Sequence, residues 1–144
     1  MGRKLLRNKS LKVLSEIYHI IPSFYPLIGG AEKQLERLAR VQSKSVNKVY
    51  ILTRKINEAD ETPKDFKKID LIRFNAPNMF VFNLNIFRYI FKYRTKVKLI
   101  HVHSLSSVAF TSLFLGLILR IKVLIKITRI GEGSQPELVN NSIF

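Results

Sequence analysis

An α/β fold, a mostly parallel sheet covered by helices, is what this sequence predicts, and three observations carry the prediction. Short runs rich in branched apolar residues alternate with longer stretches of helical periodicity almost from end to end. Proline, glycine and asparagine turns bound those runs. The chemically distinctive residues fall at the carboxyl ends of the runs, where open parallel sheets gather their ligands.

The first run, Leu11 to Ile21, predicts a strand that stops at Pro22. The loop that follows carries Pro22, Pro26, Gly29 and Gly30 and leads into a helix, with Ala31, Leu35, Leu38 and Ala39 at helical spacing and an expected end near Ser43. Glu32 falls in its first turn, where the helix dipole favours a carboxylate, and Arg40 near its far end. Asn47 to Thr53 predicts a second strand, and the polar stretch from Arg54 to Lys68 a loop. Ile69 to Phe74 predicts a third strand, closed by the turn Asn75-Ala76-Pro77-Asn78.

Met79 to Lys98 predicts a helix over much of its length. Phe80, Leu84, Phe87, Ile90 and Phe91 can share a face that packs on the sheet, while Arg88, Lys92 and Arg94 look outward. The same basic and aromatic composition also suits an interfacial helix on an anionic membrane. Leu99 to His103 predicts a fourth strand. Ser106 or Ser107 is the expected cap of an apolar helix ending near Leu119, and Ile121 to Thr128 predicts a fifth strand before the Gly131-Glu132-Gly133 loop.

The chain has 144 residues, 47% of them hydrophobic, which is enough for one domain with a real core. Its formal charge of +15 calls for acidic partners: anionic lipid, nucleic acid or phosphorylated substrates. No cysteine is present, which excludes disulfides and thiolate metal sites. Residues 1–10 read as a basic flexible leader without the apolar core of a signal peptide, and Leu6 stands where a myristoylation signal needs Ser or Thr. The apolar segment Val108 to Leu119 is followed by Arg120 and Lys122, short of the roughly 20 residues a membrane span needs.

The residues also exclude several chemistries. No Ser/His/Asp set and no convincing carboxylate pair supports hydrolysis. The glycine loop matches neither the dinucleotide fingerprint nor the Walker pattern. His101 and His103, two apart in a strand, point to one face, but with no third ligand in view they make a poor metal site, and none is expected. His103, at the strand edge, is the candidate donor to a sugar hydroxyl or phosphate. Gly29 and Gly30, at a helix start, either serve a turn or present bare N–H groups to an anion.

Taken in order, these pieces resemble the N-terminal domain of retaining glycosyltransferases of family 4, which have the GT-B fold. The resemblance runs from about Leu11 to Ser134. It rests on the initial Lys12-Val13-Leu14 strand, Pro22-Ser23-Phe24-Tyr25-Pro26 leading to Gly29-Gly30-Ala31-Glu32, Leu35-Glu36-Arg37-Leu38-Ala39, Val49 to Arg54, Ile69 to Phe74, Leu99 to Ser104 and Val123 to Thr128. It implies that residues 11–144 form a Rossmann-like N-terminal half of a GT-B fold, incomplete and without the C-terminal donor domain.

The resemblance also implies a function: transfer of a sugar from a nucleotide-sugar donor to a cell-envelope glycan or lipid-linked acceptor, with no metal or other cofactor. His103 would position the sugar. Gly29, Gly30 and Glu32 would line the donor phosphates, and Gly131 with Glu132 would border the cleft. The isolated chain is expected to be inactive, to work with a separate donor-domain subunit, and to sit in the cytoplasm, peripheral to the inner face of the plasma membrane. The other reading is a non-catalytic basic module on an anionic membrane or partner subunit. Nucleic acid is not an expected partner, since no recognised binding module is present. Val46-Asn47-Lys48-Val49 departs from the family's usual Gly-His-Glu-Val before the second strand.

Overall fold

A computed structural model of the chain describes residues 16–25, 29–55, 62 and 66–127. In order they form β1 (Glu16–Ile20), α1 (Gly30–Gln42), β2 (Lys48–Arg54), β3 (Ile69–Phe74), α2 (Met79–Lys92), β4 (Leu99–Val102), α3 (Ser107–Leu119) and β5 (Lys122–Ile125). The strands make one five-stranded sheet in the order β3-β2-β1-β4-β5, and every pairing is parallel. With helices on both faces this is a Rossmann-like α/β fold, as the alternation of runs predicts.

β1 occupies the centre, and its residues alternate between two cores. Ile17 and Ile21 join Val49, Ile51 and Ile69 under Leu35 and Ala39 of α1. Tyr18 and Ile20 join Leu52, Ile100 and Val102 under α2 and α3, which contribute Phe82, Ile86, Ile90, Val108, Ala109 and Leu115. A parallel strand covered on both faces is apolar at nearly every position, which is why β1, β2 and β4 read as continuous runs. The leader and residues 11–15 of the predicted first strand lie outside the described residues.

Two helices differ from expectation in ways that matter. α2 stops at Lys92, and a turn over residues 93–96 leads to buried Val97 and into β4. Its buried residues are Phe82, Ile86 and Ile90, whereas Phe80, Leu84 and Phe91 face solvent alongside Arg88 and Lys92. The helical period is as predicted but its phase is rotated. Aromatic residues at 80, 82, 87, 89 and 91 supply apolar surface on every side, so composition alone does not choose the inward stripe.

α3 packs against β5 through Gly116. A Cβ there would collide with the Val123 side chain and lie 3.0 Å from the Ile121 carbonyl oxygen. The helix ends on Arg120 in the left-handed region (φ 54°), with the Ile121 N–H donating to the Gly116 carbonyl at 3.0 Å. Ser106 is the N-cap residue of α3, but its hydroxyl lies 3.0 Å from that of Ser104 and does not cap the helix.

The rotated phase of α2 is directly testable. Phe82→Ala should destabilise the fold by about 3–5 kcal/mol in urea unfolding, and Phe80→Ala by no more than about 0.5 kcal/mol. The opposite ranking would restore the orientation that the periodicity suggests.

Candidate functional site

From β1 the chain builds outward through β2 to β3 on one side, then returns to build β4 and β5 on the other. The order reverses between β1 and β4. Side-chain and loop atoms diverge at such a reversal and leave a crevice at the carboxyl ends of the strands. Backbone bonds continue the ladders past the strand ends: Ile21 N–H to Leu52 O (3.1 Å), His103 N–H to Ile20 O (3.0 Å) and Lys126 N–H to Val102 O (2.8 Å). The edge of the crevice is therefore held in fixed register.

Three histidines meet there, on the face that α1 covers. His19 of β1 stands in register with His101 of β4, and His103 follows two residues later, so period-two alternation puts all three on one side of the sheet. Their ring centroids are 4.1–5.2 Å apart. All three are buried, and His19 is wholly inaccessible. His19 Nε2 is 2.7 Å from Gln42 Oε1, at the end of α1. A carbonyl oxygen only accepts, so Nε2 carries the hydrogen and His19 Nδ1 is left as an acceptor. His103 Nε2–H then donates to that Nδ1 at 2.9 Å. The result is a directed chain from His103 through His19 to Gln42.

Burial keeps this chain neutral. It pushes the His19 imidazole down to about 4, against a partial upward pull from the Gln42 hydrogen bond. His103 is pushed down to about 3 by burial first, then by His101, His19 and Lys126. His101 is lowered too, by burial and then by Lys126.

Among the described residues, His19, His101 and His103 are the grouping whose ligand atoms, all within 4.8 Å of one another, could hold a metal ion. The third ligand absent from the sequence reading is thus His19. In the absence of an ion both ring nitrogens of His19 are taken up by the hydrogen-bonded chain, and the Lys126 ammonium adds positive charge nearby.

The start of α1 forms the other wall. Gly29 is its N-cap residue, in an extended conformation (φ −93°, ψ −174°) open to any residue, and no side chain caps it. Glu32 folds back over this end. One of its carboxylate oxygens accepts from Ser23 Oγ at 3.0 Å, and the other lies 2.5 Å from where a Gly29 Cβ would sit. Glu32 therefore ties Ser23 to the helix start, and Gly30 has nothing among the described residues within 4 Å of a Cβ built there.

Lys126 completes the enclosure: its ammonium donates to Gln34 Oε1, one turn beyond Gly30 on α1. Thr53, at the end of β2 on the same face, is fully buried, and its hydroxyl has no hydrogen-bond partner among the described residues. Arg54 points away, donating to the Ala76 carbonyl at 3.2 Å.

Of the residues named from sequence, Gly29, Gly30 and Glu32 lie at the start of α1 and His103 directly after β4, at the same carboxyl edge of the sheet, while Gly131 and Glu132 lie outside the described residues. His19, Gln42 and Lys126 were missed. The signal for His19 was present: in a sheet whose order reverses beside β1, a histidine in β1 meets those of the neighbouring strand.

Because the folded histidines are neutral and those of the unfolded chain titrate near 6.5, the unfolded chain takes up protons first as pH falls. Stability is complete above about 6.5 and drains away below it, down to about 4 for His19 and about 3 for His103, by on the order of 3 kcal/mol for each of the two at pH 4. Urea midpoints measured between about pH 7 and pH 4 should show this slope in the natural chain and a shallower one in His103→Gln. Equal slopes would mean that the cluster is not buried neutral.

No family model matches the sequence, and no curated protein does.

Proposed function

We propose that the chain is the acceptor-side half of a family 4 glycosyltransferase, moving a sugar from a nucleotide-sugar donor to a cell-envelope glycan or lipid-linked acceptor. It would act at the inner face of the plasma membrane, together with a donor-binding domain contiguous with it or carried by a separate subunit. One observation carries this reading. Gly30 opens α1 in ordinary helical conformation, exposed, with no neighbour among the described residues that a Cβ would touch. Glycine is a weaker helix former than alanine, and no packing among the described residues requires it here. That leaves room for close approach by something outside the chain. Bare N–H groups at the start of a helix favour an anion, and a diphosphate is the anion a nucleotide-sugar brings.

The surroundings support that reading. Glu32 covers the Gly29 side of the helix end, so a phosphate would approach from the Gly30 side, where the dipole and the Lys126 ammonium both attract it. Oriented N–H groups of this kind stabilise a departing diphosphate with no reorganisation at the moment of transfer. His103 would position the sugar. Its ring is only 2% exposed, so contact requires the segment after β4 to open as ligand enters. The buried His103–His19–Gln42 chain sets the orientation to which that ring returns. Metal and cofactor play no part in the proposal; the nucleotide-sugar is a substrate.

Gly30→Ala separates ligand binding from folding. It should leave stability unchanged or raise it by about 0.5 kcal/mol, and weaken the binding of uridine-diphosphate-glucose or guanosine-diphosphate-mannose at least tenfold by calorimetry. In the natural chain the binding should be of about millimolar strength and displaced by inorganic pyrophosphate. Binding unaffected by the substitution, or no saturable binding at all, would remove the proposal in favour of a non-catalytic basic module. Purified alone, the chain should turn over no nucleotide-sugar.

A further inference from the structure

The outer surface of α2 and α3 is not built for water. α3, from Ser107 to Leu119, contains no charged residue and is apolar nearly all round, yet only one side of it is buried. Phe110, Phe114, Leu117 and Ile118 lie on the other side, and Phe110 and Leu117 are 70% and 80% exposed. On α2, Phe80 is 77% exposed and lies one turn from Leu84. Asn83 Nδ2 donates to Ser107 Oγ at 2.9 Å and ties the two helices side by side. Phe80, Leu84, Phe87, Phe110 and Phe114 line one open groove of about 440 Å³ between them. A contiguous exposed apolar surface of this kind marks an interaction site.

Charge identifies the occupant. From residue 71 to residue 127 the chain has no Asp or Glu, and nine Lys or Arg. Several of these share or border the apolar face. Arg88 and Lys92 continue the exposed Phe80–Leu84 stripe of α2, the Arg94 guanidinium lies 4.9 Å from the centre of the Phe91 ring, and Arg120 and Lys122 are exposed at the end of α3. A second copy of the chain would set this one-signed surface against itself and be repelled. An apolar aromatic face with a basic rim is instead the pattern of a surface that lies in the headgroup boundary of an anionic bilayer. No helix among the described residues is long and apolar enough to cross one. We infer that the α2–α3 face is a monotopic docking surface for anionic membrane. This holds whether or not the crevice transfers a sugar, because none of these residues belongs to it.

Co-sedimentation of the full 144-residue chain with lipid vesicles tests the inference. With about one-third phosphatidylglycerol in phosphatidylcholine, the chain should pellet at low salt, and at least about tenfold less on pure phosphatidylcholine or at about 0.5 M salt. The double substitution Phe110→Ser and Leu117→Ser, at exposed positions, should lower binding to the anionic vesicles at least about tenfold with an unchanged circular-dichroism melt. Arg88→Glu with Lys92→Glu should do the same through charge, which provides a second variant should the first fail to fold.

Four outcomes would overturn the inference. They are binding by both variants equal to that of the natural chain, equal binding of the natural chain to neutral vesicles, a lipid-free dimer in light scattering that the serine pair dissolves, and binding to an oligonucleotide with none to vesicles.

Discussion

β1 is hydrogen-bonded along both edges, to β2 and to β4, and covered on both faces. Everything at the crevice depends on that double pairing. Tyr18, His19 and Ile20 are at most 1% exposed, so a polar side chain placed there must find its partners inside the protein or cost several kcal/mol. His19 finds Gln42 from α1 on one side and His103 from the segment after β4 on the other. The same residue that burial would penalise thus links the helix carrying the glycine loop to the strand end carrying His103. The carboxyl-end architecture follows from one strand whose neighbours were laid down on opposite sides.

The two faces of the sheet divide the chemistry. On the α1 face the polar groups, His19, His101, His103, Gln34, Gln42 and Lys126, gather toward the order reversal. On the other face α2 and α3 bury an apolar core of aromatics and branched residues and also turn an apolar surface outward. The two proposed surfaces therefore do not compete for the same residues.

How much of this could be read from the sequence varies with the physics of each element. Strands buried on both faces announce themselves as branched apolar runs, and Ile69 to Phe74 was bounded to the residue. The helix after the glycine pair was found to within a residue at each end, because its apolar positions repeat cleanly and Glu32 and Arg40 match the dipole. α2 was found but rotated, because a helix carrying aromatics around most of its circumference gives no clear direction inward. Gly29, Gly30, Glu32 and His103 were legible as residues that end strands or begin helices. His19 and Lys126 were not, since one looks like any mid-strand residue and the other like any surface lysine until topology brings them together. The expectation of no third metal ligand failed for the same reason: the ligand sits 82 residues from His101 in sequence but beside it in register.

The central claim is that the strand-order reversal, with the open N-terminus of α1 beside it, receives the diphosphate of a nucleotide-sugar. Amide chemical shifts of the nitrogen-labelled chain, followed during titration with uridine-diphosphate-glucose, address it most directly. Saturable shifts confined to Gly29 through Lys33, His103 through Ser106 and Lys126, reproduced in part by pyrophosphate, are the predicted result. Shifts absent from those residues, or confined to α2 and α3, would contradict it.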